Sequence, residues 1–176
     1  MLRRLLLPAT LAASFAALAP LGGCTPSASQ PPAGAVTTVI LLRHADRHPL
    51  QAGLNQSGLE RAAALPTALE GVPIDEIYTL DIERNRQTAQ PLATARGLPV
   101  RIVAERGVAE MLMRGNAGKT VVWIGNTDNL ADIHRALGGD GAPPDRYGDL
   151  FILRVPERGP TIVTRMIYGR APAGAS

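Results

Sequence analysis

The residues best able to do chemistry stand at the end of one apolar run. Thr37-Thr38-Val39-Ile40-Leu41-Leu42 leads straight into Arg43-His44, and Ala45-Asp46-Arg47-His48-Pro49 follows. A short run rich in Val, Ile and Thr reads as a buried strand. A cation and an imidazole do not suit a strand interior, so Arg43 and His44 are expected at its C-terminal mouth, where open α/β sheets bind ligands. The guanidinium offers phosphate a planar fork of donors, and an imidazole beside it can attack as a nucleophile. The pair points to an anionic substrate. His44 and His48 also have the i, i+4 spacing of some zinc sites. That spacing needs a helix, and the chain here is leaving a strand, so neither a metal nor a cofactor is expected.

The elements that would position this pair alternate in type. Asp46 to Gln56 is a loop, punctuated by Pro49 and Gly53. Ser57-Gly58-Leu59-Glu60 has the spacing of a capping box. The helix after it has Leu59, Ala62, Ala63, Leu65 and Leu69 for a buried face, and Pro66 implies a kink or an early stop. Strands are expected at Asp75–Thr79, Pro99–Val103 and Thr120–Ile124. Helices are expected over Glu105–Arg114 and from Leu130, where Leu130, Ile133, Ala136 and Leu137 keep helical spacing; the helix after Leu80 is implied by a resemblance given below. Asp149–Val155 and Thr161–Ile167 read as a final pair of strands, expected as a hairpin. Such alternation gives an α/β fold, a three-layer α/β/α sandwich on a mostly parallel central sheet. His134 lies beside the apolar stripe of its helix and reads as a structural histidine.

Leu41-Leu42-Arg43-His44-Ala45-Asp46 resembles the Arg-His-Gly/Ala signature of the histidine phosphatase superfamily, which includes the phosphoglycerate mutase-like phosphatases. Leu54-Asn-Gln-Ser-Gly58-Leu-Glu-Arg-Ala62 is similar to the stretch that follows that signature in the family. Leu80-Asp-Ile-Glu-Arg84-Asn-Arg-Gln87-Thr88-Ala89 resembles its Arg-x-x-Gln-Thr-Ala block. The resemblance runs from Val39 to the region of Gly169 and implies the phosphoglycerate mutase-like fold. It implies His44 as a nucleophile that becomes phosphohistidine, with Arg43 and Arg84 binding the phosphate of a small phosphorylated substrate or ligand. Arg84 would stand at a helix N-terminus, which itself favours anions. Arg86 is assigned no role. Asp145 and Asp149 resemble an acidic loop of the family, again with no role derived.

One departure bears on mechanism. Where the family has Gly-His followed by a small residue, this chain reads Gly125-Asn126-Thr127-Asp128-Asn129. Asn126 stands at the position of the second catalytic histidine, with Thr127 beside it as a further phosphate-binding candidate and Asp128 as a candidate helix cap. Asn126 keeps a neutral donor but loses a positive charge, and charge-assisted hydrogen bonds are roughly twice as strong as neutral ones. Phosphate binding should survive and turnover should fall. Glu105, Glu110 and Asp46 are the candidates for the general acid, and His48 is a candidate auxiliary group. Two readings follow: a phosphatase with reduced turnover, or a catalytically inactive phosphate-binding protein of the same fold. A mutase is disfavoured by analogy, because the compact chain has little room for insertions.

The chain begins with a leader pattern. Arg3 and Arg4 precede an apolar stretch from Leu5 to Leu21, broken by Pro8 and Pro20, and Leu21-Gly22-Gly23-Cys24 closes it. This reads as a secretory signal over 1–23. Its ending resembles a bacterial lipobox, which implies lipidation of Cys24 and a membrane anchor at the cell envelope, facing the periplasm. Thr25 after Cys24, by resemblance to sorting signals, favours the outer membrane. Residues 24–35, rich in Pro, Ser, Ala and Gly, read as the lipidated end and its flexible tether. The folded domain is expected over 36–170 and a disordered tail over 171–176. Cys24 is the only cysteine, which excludes an intramolecular disulfide. Loss of Arg3 and Arg4 with the leader lowers the formal charge from +3 to about +1. No basic stripe interleaved with aromatics supports nucleic-acid binding. The sequence carries no signal for an oligomeric state.

Overall fold

The computed structural model describes residues 34–104 and 106–169. The expected signal segment, Cys24, most of the tether, Glu105 and the expected tail lie outside the described residues. In chain order the elements are β1 (Val36–Arg43), α1 (Gln56–Ala68), β2 (Glu76–Thr79), α2 (Glu83–Arg96) and β3 (Val100–Ile102). Then come α3 (Val108–Arg114), β4 (Thr120–Gly125), α4 (Thr127–Ala136), β5 (Asp149–Pro156) and β6 (Ile162–Ile167).

The strands form a single sheet in the order β3-β2-β4-β1-β5-β6. β1, β4, β2 and β3 pair in parallel, whereas β5 runs antiparallel to β1 and closes a hairpin with β6. This is the expected mostly parallel sheet with a terminal hairpin. The alternation along β1 explains the three layers, because successive side chains point to opposite faces. Val39 and Leu41 join Trp123, Phe151, Leu112, Leu130 and Ile133 on the α3/α4 side. Ile40 and Leu42 join Val122, Ile124, Leu65, Ala89 and Leu92 on the α1/α2 side. A strand buried on both faces has no polar alternation to show, hence the continuous apolar run.

Helix ends differ from the sequence reading for local reasons. α1 is capped two residues before the expected Ser57: Asn55 is the N-cap, its Oδ1 accepting from the Gly58 N–H at 2.8 Å. The buried face of α1 runs through Gly58, Arg61, Ala62 and Leu65 and on to Leu69, at helical spacing. Leu59 lies off that face and is 48% exposed. α1 closes two residues beyond Pro66. α3 starts at Val108 rather than residue 105, because Gly107 takes a left-handed conformation (φ 67°) before the first turn. α4 starts at Thr127, with Asn126 in the N-cap position, so Asp128 is a first-turn residue and not the cap.

Gly58 is required by a close approach. A Cβ there would lie 2.0 Å from the carbonyl oxygen of Asp46, in the loop that follows β1. Gly58→Ala should therefore push that loop off α1 and cost about 1–3 kcal/mol of stability, as overpacking does. A lower urea midpoint at unchanged slope is the expected result; an unchanged midpoint would show that the loop is free to move.

Candidate active site

The parallel register pairs Arg43 with Gly125, so the C-terminal ends of β1 and β4 lie side by side. The His44 N–H donates to the Gly125 carbonyl at 2.9 Å. Arg43 and His44 thus leave the sheet beside Asn126, at the mouth expected from the sequence. Arg84 reaches the same mouth from the first turn of α2, and its Nη2 donates to Asn126 Oδ1 at 3.4 Å. Arg43, His44, Arg84 and Asn126 are therefore brought together.

His44 is 2% exposed. Its Nδ1 lies 2.8 Å from the carbonyl oxygen of Ala45, which only accepts, so Nδ1 carries the proton and Nε2 carries the lone pair. Burial, aided by the charges of Arg84, Arg43 and Arg47, lowers its pKa to about 4, although the Ala45 hydrogen bond works in the other direction. The imidazole is neutral near neutral pH, as a nucleophile requires.

The backbone around it is held from α2. The Ala45 N–H donates to Thr88 Oγ1 at 2.9 Å, and the Thr88 hydroxyl donates to the Arg84 carbonyl at 2.8 Å. The Ile124 carbonyl at the end of β4 accepts from the Thr79 hydroxyl at 2.8 Å and from Asn85 Nδ2 at 3.3 Å. The Gln87 side chain accepts from the Leu54 N–H at 2.7 Å and so fixes the loop after β1. The Gln-Thr-Ala block therefore works as a clamp between α2 and the backbone beside His44, a role its spacing alone did not announce.

Three further groups complete the surroundings, and sequence reasoning gave none of them a function. Tyr147 lies under Arg43, with the guanidinium carbon 4.5 Å from the ring centroid, and its ring is 5.7 Å from that of His44. Asp149 Oδ2 accepts from the N–H groups of Asp145 and Arg146 at 3.0 and 2.9 Å, which shapes the loop that offers the Asp145 carbonyl to Arg43 Nη1 at 2.7 Å. Arg61, 4% exposed, binds Asp46 at 2.6 Å and the Tyr168 carbonyl at 2.8 Å. A charged residue on the apolar face of a helix gives no sign in the sequence of where its partner will be. Arg47 is a further guanidinium of the neighbourhood, besides Arg43, Arg61 and Arg84. Its Nη1 donates to the carbonyls of His48 and Pro49 at 3.2 and 2.7 Å.

The remaining candidates stand apart. Asp46 is committed to Arg61 and is not free to act as an acid. Glu110 is exposed on α3 and paired with Arg114. It borders a groove of ≈ 510 Å³ between α3 and α4, which Val108, Asp128, Asn129, Asp132 and Ile133 also line. Thr127 is the exposed first residue of α4. His48 sits on an exposed turn, where its Nδ1 accepts from the Leu50 N–H at 3.3 Å. His134 is 2% exposed and packs edge-on against Phe151 with ring centroids 6.0 Å apart, which agrees with a structural histidine.

The cluster can bind an oxyanion and attack it. The Nε atoms of Arg43, Arg47 and Arg84 are all buried without a hydrogen-bond partner. A buried charged donor left unpaired is costly, on the order of 1–3 kcal/mol or more. Three at one place suit an anion rich in acceptors.

A model of the histidine phosphatase superfamily (branch 1) matches residues 39–144. Solved structures of the same fold include a protein histidine phosphatase, SixA, complexed with tungstate: 16% identity, TM-score 0.63, covering 74% of this chain and 96% of that one. YhfR of Bacillus stearothermophilus is 19% identical with a TM-score of 0.60, covering 73% of this chain and 95% of its own. A mycobacterial glucosyl-3-phosphoglycerate phosphatase with inorganic phosphate is 15% identical with a TM-score of 0.55, covering 76% and 97%. No curated protein sequence matches significantly.

The buried imidazole gives the fold an acid-sensitive point. Its folded pKa, about 4, lies below the ordinary 6.5, so the unfolded chain takes up the proton first. The stability contributed by neutral His44 is complete above pH 6.5 and is lost as the pH falls towards 4. Thermal unfolding at pH 7.5 and 4.5 should show a smaller acid-induced drop in Tm for His44→Gln than for the unmodified chain. Equal drops would mean that the imidazole is solvated.

Proposed function

The chain belongs to the histidine phosphatase superfamily (branch 1), and from that premise we propose that it hydrolyses phosphomonoesters through a phosphohistidine on His44, at a turnover lowered by Asn126. The observation that carries the reading is the tautomer of His44: Nδ1–H is held by Ala45, and the Nε2 lone pair is left free in a nest of guanidinium groups. Nε2 forms the bond to phosphorus while the bond to the leaving oxygen breaks. Water then forms a P–O bond, the P–N bond breaks, and Nε2 regains its lone pair. Arg43, Arg84 and the Asn126 amide hold the equatorial oxygens, so catalysis is positioning and electrostatics. With Asn126 Oδ1 turned to Arg84, Nδ2 is the donor left for phosphate. The SixA and mycobacterial phosphatase structures hold tungstate and inorganic phosphate, which supports a small phosphorylated ligand.

The leaving oxygen needs a proton unless it is a stable anion. Of the candidate acids among the described residues, Asp46 and Glu110 are tied to arginines, while Glu105 lies outside them. That arrangement favours leaving groups of low basicity. A second reading rests on Asn126 itself: loss of a stabilising group in a comparable site costs on the order of 10²–10³ in rate, and such a loss leaves a phosphate-binding protein with no useful turnover.

Hydrolysis of an aryl phosphate by the full-length chain separates the two. Slow turnover is expected, abolished in His44→Ala and raised at least ~10-fold in Asn126→His. Turnover that survives His44→Ala would sink the phosphohistidine mechanism. A dead unmodified chain with an active Asn126→His variant would support the binding reading.

The second part of the proposal is a lipid anchor on Cys24 that holds the domain at the bacterial envelope, facing the periplasm. The support is the Leu21-Gly22-Gly23-Cys24 ending and the small-residue tether after it. Cys24→Ala should move the protein from the membrane fraction to the soluble one. Retention of the variant in the membrane fraction would place the anchor elsewhere.

A further inference from the structure

Arg61 stands on α1 and takes no part in the reaction just described, yet it is built into the support of two loops beside His44. Its Nε and Nη2 form a fork on Asp46, 2.6 Å from Oδ2 and 3.4 Å from Oδ1. Its Nη1 donates to the Tyr168 carbonyl at 2.8 Å, and the Tyr168 N–H donates to the Gly148 carbonyl at 2.9 Å. Every nitrogen of the buried guanidinium is therefore in use.

The backbone leaves room for this side chain at two points. A Cβ at Gly148 would lie 2.5 Å from Arg61 Nη1, and one at Gly169 would lie 2.8 Å from Arg61 Cγ. A residue needed only to fill the core would be apolar, because burying a charge is costly unless it is paired and hydrogen-bonded.

The two partners lead to His44 by separate routes. Asp46 follows Ala45, and the Ala45 carbonyl that faces Nδ1 at 2.8 Å shares one peptide plane with the Asp46 N–H. Arg61 fixes the Asp46 side chain, and the Asn55 N–H donates to the Asp46 carbonyl at 3.1 Å. That plane is thus held from both ends of the residue after it. Gly148 follows Tyr147, whose ring is tilted against the imidazole with centroids 5.7 Å apart.

We infer that Arg61 is a positioning residue: by fixing Asp46 and the strand end beside Gly148, it keeps the Ala45 carbonyl on Nδ1 and the Tyr147 ring against His44, so that the Nε2 lone pair stays free. This rests on the phosphohistidine reading, because the free lone pair is what that reaction uses. The tautomer itself is observable without substrate or turnover. The charges that act on His44 are those of Arg43 and Arg47, from β1 and the loop after it, and of Arg84 from α2. Tyr147 faces it from the loop before β5, and Asp46 is paired with Arg61. A change at Arg61 that also removes Asp46 therefore reaches the imidazole through position.

Two variants of the full-length chain in detergent test this. Asp46→Ala combined with Arg61→Met removes the ion pair without leaving a buried charge, a change that folds often tolerate. Arg61→Lys keeps a cation on Asp46 but gives up the fork. Nitrogen NMR on isotope-labelled histidine, with His44→Gln to assign the signal, reads the tautomer. The unmodified chain should show Nδ1–H alone at neutral pH and titrate at about pH 4. In the double variant both tautomers should appear. The midpoint should rise by at least ~1 pH unit towards the ordinary 6.5, because burial is the main cause that lowers it and water would now enter. On an aryl phosphate kcat should fall at least ~10-fold at a KM within ~3-fold, since Arg43 and Arg84 stay in place. Arg61→Lys should fall between on each readout. A folded double variant with unchanged tautomer and midpoint would overturn the assignment and leave Arg61 as a strut of the fold. If the double variant does not fold, Arg61→Lys decides by the same readouts. An Nε2–H imidazole in the unmodified chain would overturn the phosphohistidine reading itself.

Discussion

The parallel pairing of β1 with β4 is the constraint on which everything else in this molecule depends. It sets Arg43 opposite Gly125, and one hydrogen bond from the His44 N–H to the Gly125 carbonyl carries the register past the end of the strand. A slip of one residue would exchange the two faces of β1, sending Val39 and Leu41 to the α1/α2 side and turning the mouth residues away from α2. Such a slip is opposed by burial on both faces, since Val39, Ile40, Leu41 and Leu42 are all fully buried. The chemistry at the mouth is held in place by the same apolar packing that makes the sheet.

Bringing guanidinium groups to that mouth has an electrostatic cost, and the fold offsets it with polar groups that carry little charge. Arg43 is met by a backbone carbonyl and the face of Tyr147, Arg84 by the Asn126 amide oxygen, and Arg47 by the carbonyls of its own loop. Each contact fixes a cation without cancelling it. A carboxylate would have paired the charge and removed it from service, as Asp46 does for Arg61. The neutral His44 fits this scheme, because burial and repulsion from the arginines both favour the uncharged imidazole.

How much of this was legible depended on whether the signal was local. The strand β1 and the mouth at Arg43-His44 follow from a short apolar run and its punctuation, so the sequence reading found them; the helix that bears Arg84 was found through the resemblance of its Arg-x-x-Gln-Thr-Ala block. Asn126 was found through a resemblance in spacing; as an isolated residue it says nothing. Tyr147, Arg61 and Arg47 were not found as site residues. Arg61 gains its meaning from Asp46 and from the Tyr168 carbonyl, the latter more than a hundred positions away, and Tyr147, just before β5, from an arginine at the end of the neighbouring strand β1. Such pairings are made by topology, and nothing beside the residue announces them. The helix ends were misplaced for a related reason. Asn55 and Asn126 take N-cap positions that Ser57 and Asp128 equally suggest, and only the path of the preceding loop selects between them.

Asn126 is best understood together with its neighbours and not as a missing histidine. An imidazolium at this point would add a fourth positive charge beside Arg84, whose guanidinium is already pulled below its ordinary range by burial and by Arg47. The amide does the reverse: its oxygen accepts from Arg84 and steadies it. The chain thus holds less positive charge beside His44 and Arg84 than an imidazolium at this position would give. In phosphoryl transfer the charge developing on the leaving oxygen must be met as well as that on the equatorial oxygens.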